Sequence, residues 1–116
     1  MNEPVPVQPR EIVDVVYRIV RVGGLDHGDA DLMARWVACE EIAGRSRLDE
    51  VLGDPAELLE HARAADRHGE ADPFAVAGYH DAARHGLPVA SGRFRELYEA
   101  AKAFLVAEAT LDEIDG

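Results

Sequence analysis

The 116-residue chain has one cysteine, Cys39, and no long run of apolar residues. A single cysteine cannot form an internal disulfide, which is typical of proteins in a reducing compartment. Without a long apolar run, no segment has the character of a membrane-spanning helix or a secretory signal. We therefore expect a cytoplasmic protein that has no membrane partner.

Basic residues are also scarce. The chain has 12 Lys and Arg, with Lys102 the only lysine, against 23 Asp and Glu, which gives a formal net charge of -11. Such an excess of acidic groups repels nucleic acid and anionic membranes and favours a partner with a basic group. The alternative is that the acidity only keeps the protein soluble.

The sequence contains no metal or nucleotide motif. His61 and His68 are seven residues apart, and His80 and His85 are five apart, whereas two ligands on one helical face need a spacing of about three or four. The pair Gly23-Gly24 follows no strand and has only part of a dinucleotide fingerprint. The sequence thus predicts neither a metal site nor a cofactor.

The sequence does show clear helical periodicity. The polar residues of segment 10–22 recur every three or four positions: Glu11, Asp14, Arg18 and Arg21. This spacing predicts a helix, with Pro9 at a favourable first position. Residues 1–8 contain two prolines and predict an extended arm that wraps a neighbouring subunit. Residues 9–110 are predicted to form a single helical domain, and residues 111–116 an acidic tail.

Segment 26–44 is predicted to be the central helix. Two glycines precede it, an acidic cluster caps it, and Gly44 ends it. In helical projection one broad apolar arc contains Leu32, Met33, Trp36, Val37, Cys39, Ile42 and Ala43. The opposite side contains Asp31, Ala34, Ala38 and Glu41. Cys39 has no candidate base at a recognisable spacing, so we predict a core residue rather than a nucleophile.

Glu40 is predicted to lie inside this apolar arc. A carboxylate there loses hydration and needs a cation to compensate its charge. Arg35 is five residues away and cannot reach it along the same helix. Arg18 or Arg21 of the preceding helix, or an arginine of a second subunit, is the expected partner. Two interpretations remain open: an ion pair that fixes the helix hairpin, or part of a functional site.

The second half of the chain carries repeated helix-start signals. Asp54-Pro55 and Asp72-Pro73 each combine an N-cap with proline at the first helical position. The similar endings of residues 64–69 and 82–86 indicate either a duplicated unit of about 17 residues or convergence on good caps. Ser91 is predicted to cap a last helix with an apolar seam, which consists of Phe94, Leu97, Tyr98, Ala101, Phe104 and Leu105.

These elements predict an all-α protein, a compact bundle of about five helices with short loops. A chain of this length gains stability by burying a further face in an oligomer. Together with the arm and the apolar seam, this favours an intertwined homodimer. The polar residues near the first helix hairpin form the candidate site: Tyr17, Arg18, Arg21, His27, Arg35 and Glu40.

Two resemblances narrow the function. Residues 11–44, EIVDVVYRIVRVGGLDHGDADLMARWVACEEIAG, resemble the helical N-terminal segment of the malate/L-lactate dehydrogenase type 2 family. That family continues with a Ser-His-Gly signature, where this chain has Gly44-Arg45-Ser46-Arg47-Leu48, and its nicotinamide-binding body is absent here. In size, acidity, helical pattern and arginine-rich composition, the whole chain resembles the small lysinoalanine-forming proteins encoded beside cinnamycin- and duramycin-type lantibiotics.

The second resemblance implies a cofactor-independent reaction. A Lys amine adds to a dehydroalanine within one lanthionine-containing peptide, which requires a neutral amine, close approach and stabilisation of the enolate. On this interpretation the candidate catalytic residues are Glu40, His27 and Arg35. The candidate substrate-binding residues are Tyr17, Arg18, Arg21 and Trp36. The alternative is a non-catalytic helical module that docks on a larger enzyme.

Overall fold

The computed structural model describes the backbone of residues 3–115 and the side chains of residues 3–103. Its helices are α1 (Pro9–Val22), α2 (His27–Ile42), α3 (Leu48–Gly53), α4 (Pro55–Arg67), α5 (Tyr79–His85) and α6 (Ser91–Asp115), with a short 3-10 helix at Pro73–Ala75. The two strands are β1 (Pro4–Val7) and β2 (Leu87–Ala90). The compact, mostly helical fold is confirmed, and the small sheet corrects the expectation of a purely α-helical chain. Over the part of the chain that the structure describes, no helix is long and apolar enough to cross a membrane.

The first two helices form the predicted hairpin. The Glu11 carboxylate accepts a hydrogen bond from the Gln8 backbone N–H at 3.2 Å, and Pro9 occupies the first turn of α1. At the start of α2, the Asp26 side chain accepts a hydrogen bond from the Asp29 backbone N–H at 2.9 Å. Capping groups of this kind satisfy backbone donors that have no partner inside the helix. The bounds of both helices therefore follow from local sequence signals.

Helix α2 is the centre of the fold and is buried on more sides than its sequence predicts. Ala34 and Ala38, which we expected opposite the apolar arc, are both fully buried. Ala43, expected within the arc, is exposed, and Leu32 and Ile42 are only partly buried. The reason is that α1 packs on one side of α2, while α4 and the 3-10 helix pack on another. Small alanine side chains allow this close approach.

The two strands pair the N-terminal segment of the chain with the segment that directly precedes α6. They pair antiparallel with Pro4 opposite Ala90 and Pro6 opposite Pro88. Neither proline of β1 has an N–H, so the ladder hydrogen bonds belong to the intervening pairs, Val5 with Val89 and Val7 with Leu87.

Within the predicted arm, Pro4–Val7 is extended and pairs with a strand of its own chain. Burial of Val7, Leu87 and Val89 in the core holds the arm in place. The arm thus does not lie free to wrap a neighbour. Segment 87–90 was not predicted as a strand, because four residues interrupted by a proline carry no clear periodicity.

The last helix packs against α1. Leu97 and Ala101 of the predicted seam are buried and Phe94 packs against the core, whereas Tyr98 is 52% exposed. The side chains of Phe104, Leu105 and the predicted acidic tail lie outside the part of the chain whose side chains are described. The part of the seam that the structure does describe is a contact within the chain.

The two Asp-Pro segments have similar starts and different outcomes. The Asp54 carboxylate accepts from the Glu57 N–H at 3.4 Å, and Asp72 accepts from the Phe74 N–H at 3.0 Å. The first segment continues as a helix of 13 residues, whereas the second gives a 3-10 helix of three residues. The left-handed backbone of Gly78, with φ of +94°, separates this turn from α5. The expectation that Asp72-Pro73 starts a full helix is therefore wrong.

Candidate functional site

A cleft of about 510 Å³ lies between α1, α2 and the 3-10 helix. Its lining combines apolar and charged side chains: Arg10, Val13, Asp14, Tyr17, His27, Asp31, Arg35, Pro73 and Phe74. Phe74 is 61% exposed although it packs edge to face on Tyr79. A concave, mostly apolar surface with a few polar groups is the usual form of a ligand site. We call this surface the α1–α2 cleft.

Tyr17 and His27 form a hydrogen-bonded pair in the α1–α2 cleft. The Tyr17 hydroxyl oxygen lies 2.7 Å from His27 Nδ1, and the two rings meet edge to face. The pair joins the middle of α1 to the first residue of α2, so the tight turn between the helices positions it. Because Nδ1 is engaged by Tyr17, Nε2 is the ring nitrogen left for a ligand.

Two aspartate–arginine pairs flank this dyad. Arg35 Nε donates to an Asp31 carboxylate oxygen at 3.0 Å, and a second Arg35 nitrogen donates to the Ala71 carbonyl oxygen at 3.4 Å. On α1, Arg18 Nε donates to the Asp14 carboxylate at 3.2 Å. Asp14 and Asp31 remain about half exposed. Their outer oxygens can accept hydrogen bonds from a ligand ammonium group.

Glu40 is buried as predicted, but its cation comes from an unexpected place. Arg45 binds the carboxylate with two nitrogens, at 2.9 and 3.3 Å, and Arg47 Nε lies 3.7 Å from one oxygen. Arg18 pairs with Asp14 instead, and Arg21 donates to the Leu25 carbonyl oxygen at 3.3 Å. The turn after Gly44 reverses the chain and brings Arg45 back over the end of α2. The prediction that an arginine of α1 would pair with Glu40 is therefore wrong.

Trp36 is also part of this second cluster. Its ring stacks on His61 with centroids 6.2 Å apart, and the Arg47 guanidinium lies 5.5 Å from the ring centroid. Trp36 and Glu40 line a separate cleft of about 390 Å³, together with Cys39, Arg45 and residues of the 69–76 segment. Neither residue lines the α1–α2 cleft.

The structure thus divides the residues predicted for the site. Tyr17, His27 and Arg35 meet in the α1–α2 cleft, whereas Trp36 and Glu40 do not. Sequence reasoning did not assign Val13, Asp14 or Asp31 to the site, and it also missed three further lining residues, Arg10, Pro73 and Phe74. The helical spacing of Arg10 to Tyr17 was a usable signal for Arg10. Pro73 and Phe74 lie more than 30 positions along the chain from the other lining residues, so no local sequence pattern predicts that they contact this cleft.

Cys39 is a buried thiol at the base of the second cleft. Burial raises its pKa to about 11, and the nearby carboxylates of Asp72 and Glu40 add to this effect. At pH 8 roughly one such thiol in a thousand is ionised, against about one in four for an ordinary cysteine. We expect a thiol reagent to label the folded protein about 200-fold more slowly than the urea-unfolded chain. Equal labelling rates would show that the thiol is accessible and ionised.

Glu41 gives a prediction about pH. Burial raises the pKa of this carboxyl group above the ordinary value of 4.5, although a hydrogen bond from Ser46 opposes the shift. The folded state therefore holds this proton more tightly than the unfolded chain, so Glu41 stabilises the fold at low pH. That contribution is lost as pH rises from about 4.5 through the folded-state pKa. We expect Glu41→Gln to melt higher than the native protein at pH 7, with the difference shrinking below pH 4.5.

A metal centre has no candidate ligand set in the described part of the chain, where no three His, Cys, Asp or Glu residues are grouped to hold an ion. Comparison of the chain with protein-family models, curated proteins and solved structures finds no match. The geometry of the α1–α2 cleft is therefore the basis for a functional interpretation.

Proposed function

We propose that the α1–α2 cleft binds a peptide segment with a basic group and moves a proton on it through the Tyr17–His27 pair. The observation that carries this proposal is the 2.7 Å contact between the Tyr17 hydroxyl and His27 Nδ1 inside an open cleft. An imidazole changes its protonation near neutral pH and has two distinct nitrogens, which suits it to general acid–base catalysis. The half-exposed Asp14 and Asp31 supply the sites for the basic group.

The reaction that we propose is formation of a lysinoalanine cross-link in a lanthionine-containing peptide. In one tautomer, His27 Nδ1–H donates to the Tyr17 oxygen and Nε2 is free to accept a proton from the substrate ammonium. The neutral amine then forms a C–N bond to the dehydroalanine Cβ, while the double-bond electrons move to the carbonyl oxygen. Arg35 lines the same cleft and is suited to stabilise that oxyanion.

The reaction closes without a cofactor. The nitrogen loses a proton after attack, and one proton is delivered to the substrate Cα as the enolate collapses, so no redox partner is consumed. Binding both ends of one peptide in a single cleft supplies the close approach that this addition needs. Glu40 lies outside this cleft, and we assign it the structural ion pair with Arg45 and Arg47.

His27→Gln tests the proposal. We expect about a 100-fold slower conversion of a peptide that contains lysine and dehydroalanine, because the proton acceptor is lost. The addition leaves mass unchanged, so conversion is measured by trapping unreacted dehydroalanine with a thiol before mass spectrometry. His68→Gln is the matched control, since His68 is exposed at the end of α4 and lines neither cleft. Equal rates in the two variants would contradict the proposal.

The second candidate function is a non-catalytic docking module. The exposed ring of Phe74 at the rim of the α1–α2 cleft favours it, because exposed aromatic side chains often anchor protein contacts. Phe74→Ser should then abolish capture of a stoichiometric protein partner while His27→Gln leaves capture unchanged. Binding of the peptide without conversion would also favour this candidate.

We propose in addition that the protein is cytoplasmic and homodimeric. Two features support the proposal of a homodimer. A short chain can bury only a limited area of apolar surface by itself, and the apolar side chains of Val22 and Tyr98 are exposed. Light scattering at micromolar concentration measures the oligomeric state directly. A monomer would place the whole reaction in the α1–α2 cleft of one chain.

A further inference from the structure

Arg10 is a cation at the edge of the α1–α2 cleft that sequence analysis did not assign to the site. It lies in the first turn of α1, and its side chain is exposed. Within residues 3–103, no carboxylate forms an ion pair with it, whereas Arg18 and Arg35 are each bound to an aspartate. Among the arginines that line this cleft, Arg10 is thus the one whose charge is uncompensated by a described side chain.

Helix stability does not explain this position. The first turn of a helix carries the positive end of the macrodipole, so a cation there is unfavourable and an anion favourable. Glu11 in the same turn follows the favourable pattern, and its carboxylate accepts from the Gln8 N–H. A cation beside it gains nothing from the helix dipole.

The charge around the α1–α2 cleft also differs from that of the whole chain. The chain has a net charge of -11, whereas two arginines, Arg10 and Arg35, are balanced by two aspartates, Asp14 and Asp31, in the lining of this cleft. Both aspartates are engaged by arginine, Asp31 by Arg35 inside the cleft and Asp14 by Arg18 beside it. Because Arg35 is already paired with Asp31, the guanidinium of Arg10 is the cation of this cleft that is most available to a ligand carboxylate.

We propose that Arg10 binds a carboxylate of the ligand in the α1–α2 cleft. This rests on the proposed function and specifies its substrate further: the peptide presents a carboxylate to Arg10 and its amine to the Tyr17–His27 pair. A guanidinium binds a carboxylate with two parallel hydrogen bonds, which fixes direction as well as position. Arg10 then determines which way the peptide lies across α1. The carboxylate comes either from the peptide C-terminus or from an acidic side chain.

The test compares three short probe peptides by chemical-shift titration of isotope-labelled protein. The probes are Lys-Ala-Phe as the free acid, the same peptide as its C-terminal amide, and Lys-Glu-Phe as its amide. We expect a carboxylate-bearing probe to bind about tenfold more tightly than the uncharged amide. Preference for the free acid alone assigns Arg10 to the C-terminus, and preference for the Glu-containing amide assigns it to a side chain.

Arg10→Gln should remove that preference and leave binding of the uncharged amide unchanged. Arg67→Gln is the matched control, because Arg67 is an exposed arginine of α4 that does not line this cleft. A preference that survives Arg10→Gln, or equal affinity of all three probes for the native protein, overturns the inference. If conversion still depends on His27 in that case, only the role of Arg10 fails. If conversion does not depend on His27 either, the proposed function fails with it.

Discussion

Gly86→Ala is expected to destabilise the protein by about 4 kcal/mol, a large share of the roughly 5–15 kcal/mol that stabilises a small domain. Gly86 has φ of +78° and ψ of 159°, a region that is essentially restricted to glycine. A Cβ at this position would also lie 2.7 Å from Pro6 Cβ and 3.0 Å from Pro6 Cα. Pro6 belongs to the paired strand β1, so relief of the clash requires separation of the strands.

Two other glycines separate the contributions of backbone strain and crowding. Gly24 has φ of +108°, and a Cβ added there would have nothing within 4 Å, so Gly24→Ala should cost only about 1 kcal/mol of backbone strain. Gly53 has ordinary backbone geometry and open space, and Gly53→Ala should be neutral or stabilising by up to about 1 kcal/mol. Urea unfolding of the three variants gives the comparison. If Gly86→Ala and Gly24→Ala had equal stability, the contact with Pro6 would carry no cost.

The second large effect is expected from removing the cations around Glu40. The Glu40 side chain is only 11% exposed, whereas Arg45 is 65% exposed. Loss of Arg45 and Arg47 together leaves a buried carboxylate without a counter-charge, and we expect a cost of about 3 kcal/mol. Glu40→Gln alone should cost about 1 kcal/mol, since the freed Arg45 guanidinium remains in water. Removal of the two arginines is thus predicted to cost more stability than removal of the Glu40 carboxylate.

A triple variant isolates the electrostatic part. Adding Glu40→Gln to the Arg45→Ala, Arg47→Ala background should recover most of the lost stability, because no buried charge remains. The part that is not recovered measures the contact of Arg47 with Trp36. Arg63→Ala is the control, because Arg63 and its partners Asp29 and Glu60 are 44%, 31% and 77% exposed, so solvent screens these pairs and they should be worth about 0.5 kcal/mol. No recovery in the triple variant would contradict an electrostatic origin.

Helix bounds could be predicted from the sequence because their signals are local. Pro9, Asp26 and Asp54 each act on residues within one turn, and the helices begin where these residues place them. Asp72-Pro73 carries the same signal, but Gly78 with its left-handed backbone lies only five residues further on. The local start signal was correct, and the length of the element was set by a different residue.

The burial of individual side chains and the identity of their ion-pair partners were predicted less well, because both depend on segments that are distant in the sequence. One projection of α2 placed Ala34 and Ala38 away from the core, but a helix packed on several sides has no free face there. Glu40 illustrates the same limit for charges. Its burial followed from helical spacing, whereas its partner depended on the turn after α2, whose path no periodic pattern specifies. The Tyr17–His27 contact was predicted only in part. The short turn between α1 and α2 brings the two residues near each other, but the sequence does not specify that their side chains form a hydrogen bond.

The proline pattern of the two-stranded sheet also limits how copies of this protein can associate. In the register of β1 and β2, the residues whose backbone groups point outward are Pro4, Pro6, Pro88 and Ala90. Three of these four have no N–H, so a further strand arriving at either rim would find acceptors with almost no donors. The proline pattern therefore disfavours growth of a longer sheet and strand-mediated aggregation. Contacts between copies of this chain are therefore expected to involve side chains rather than the backbone of this ribbon.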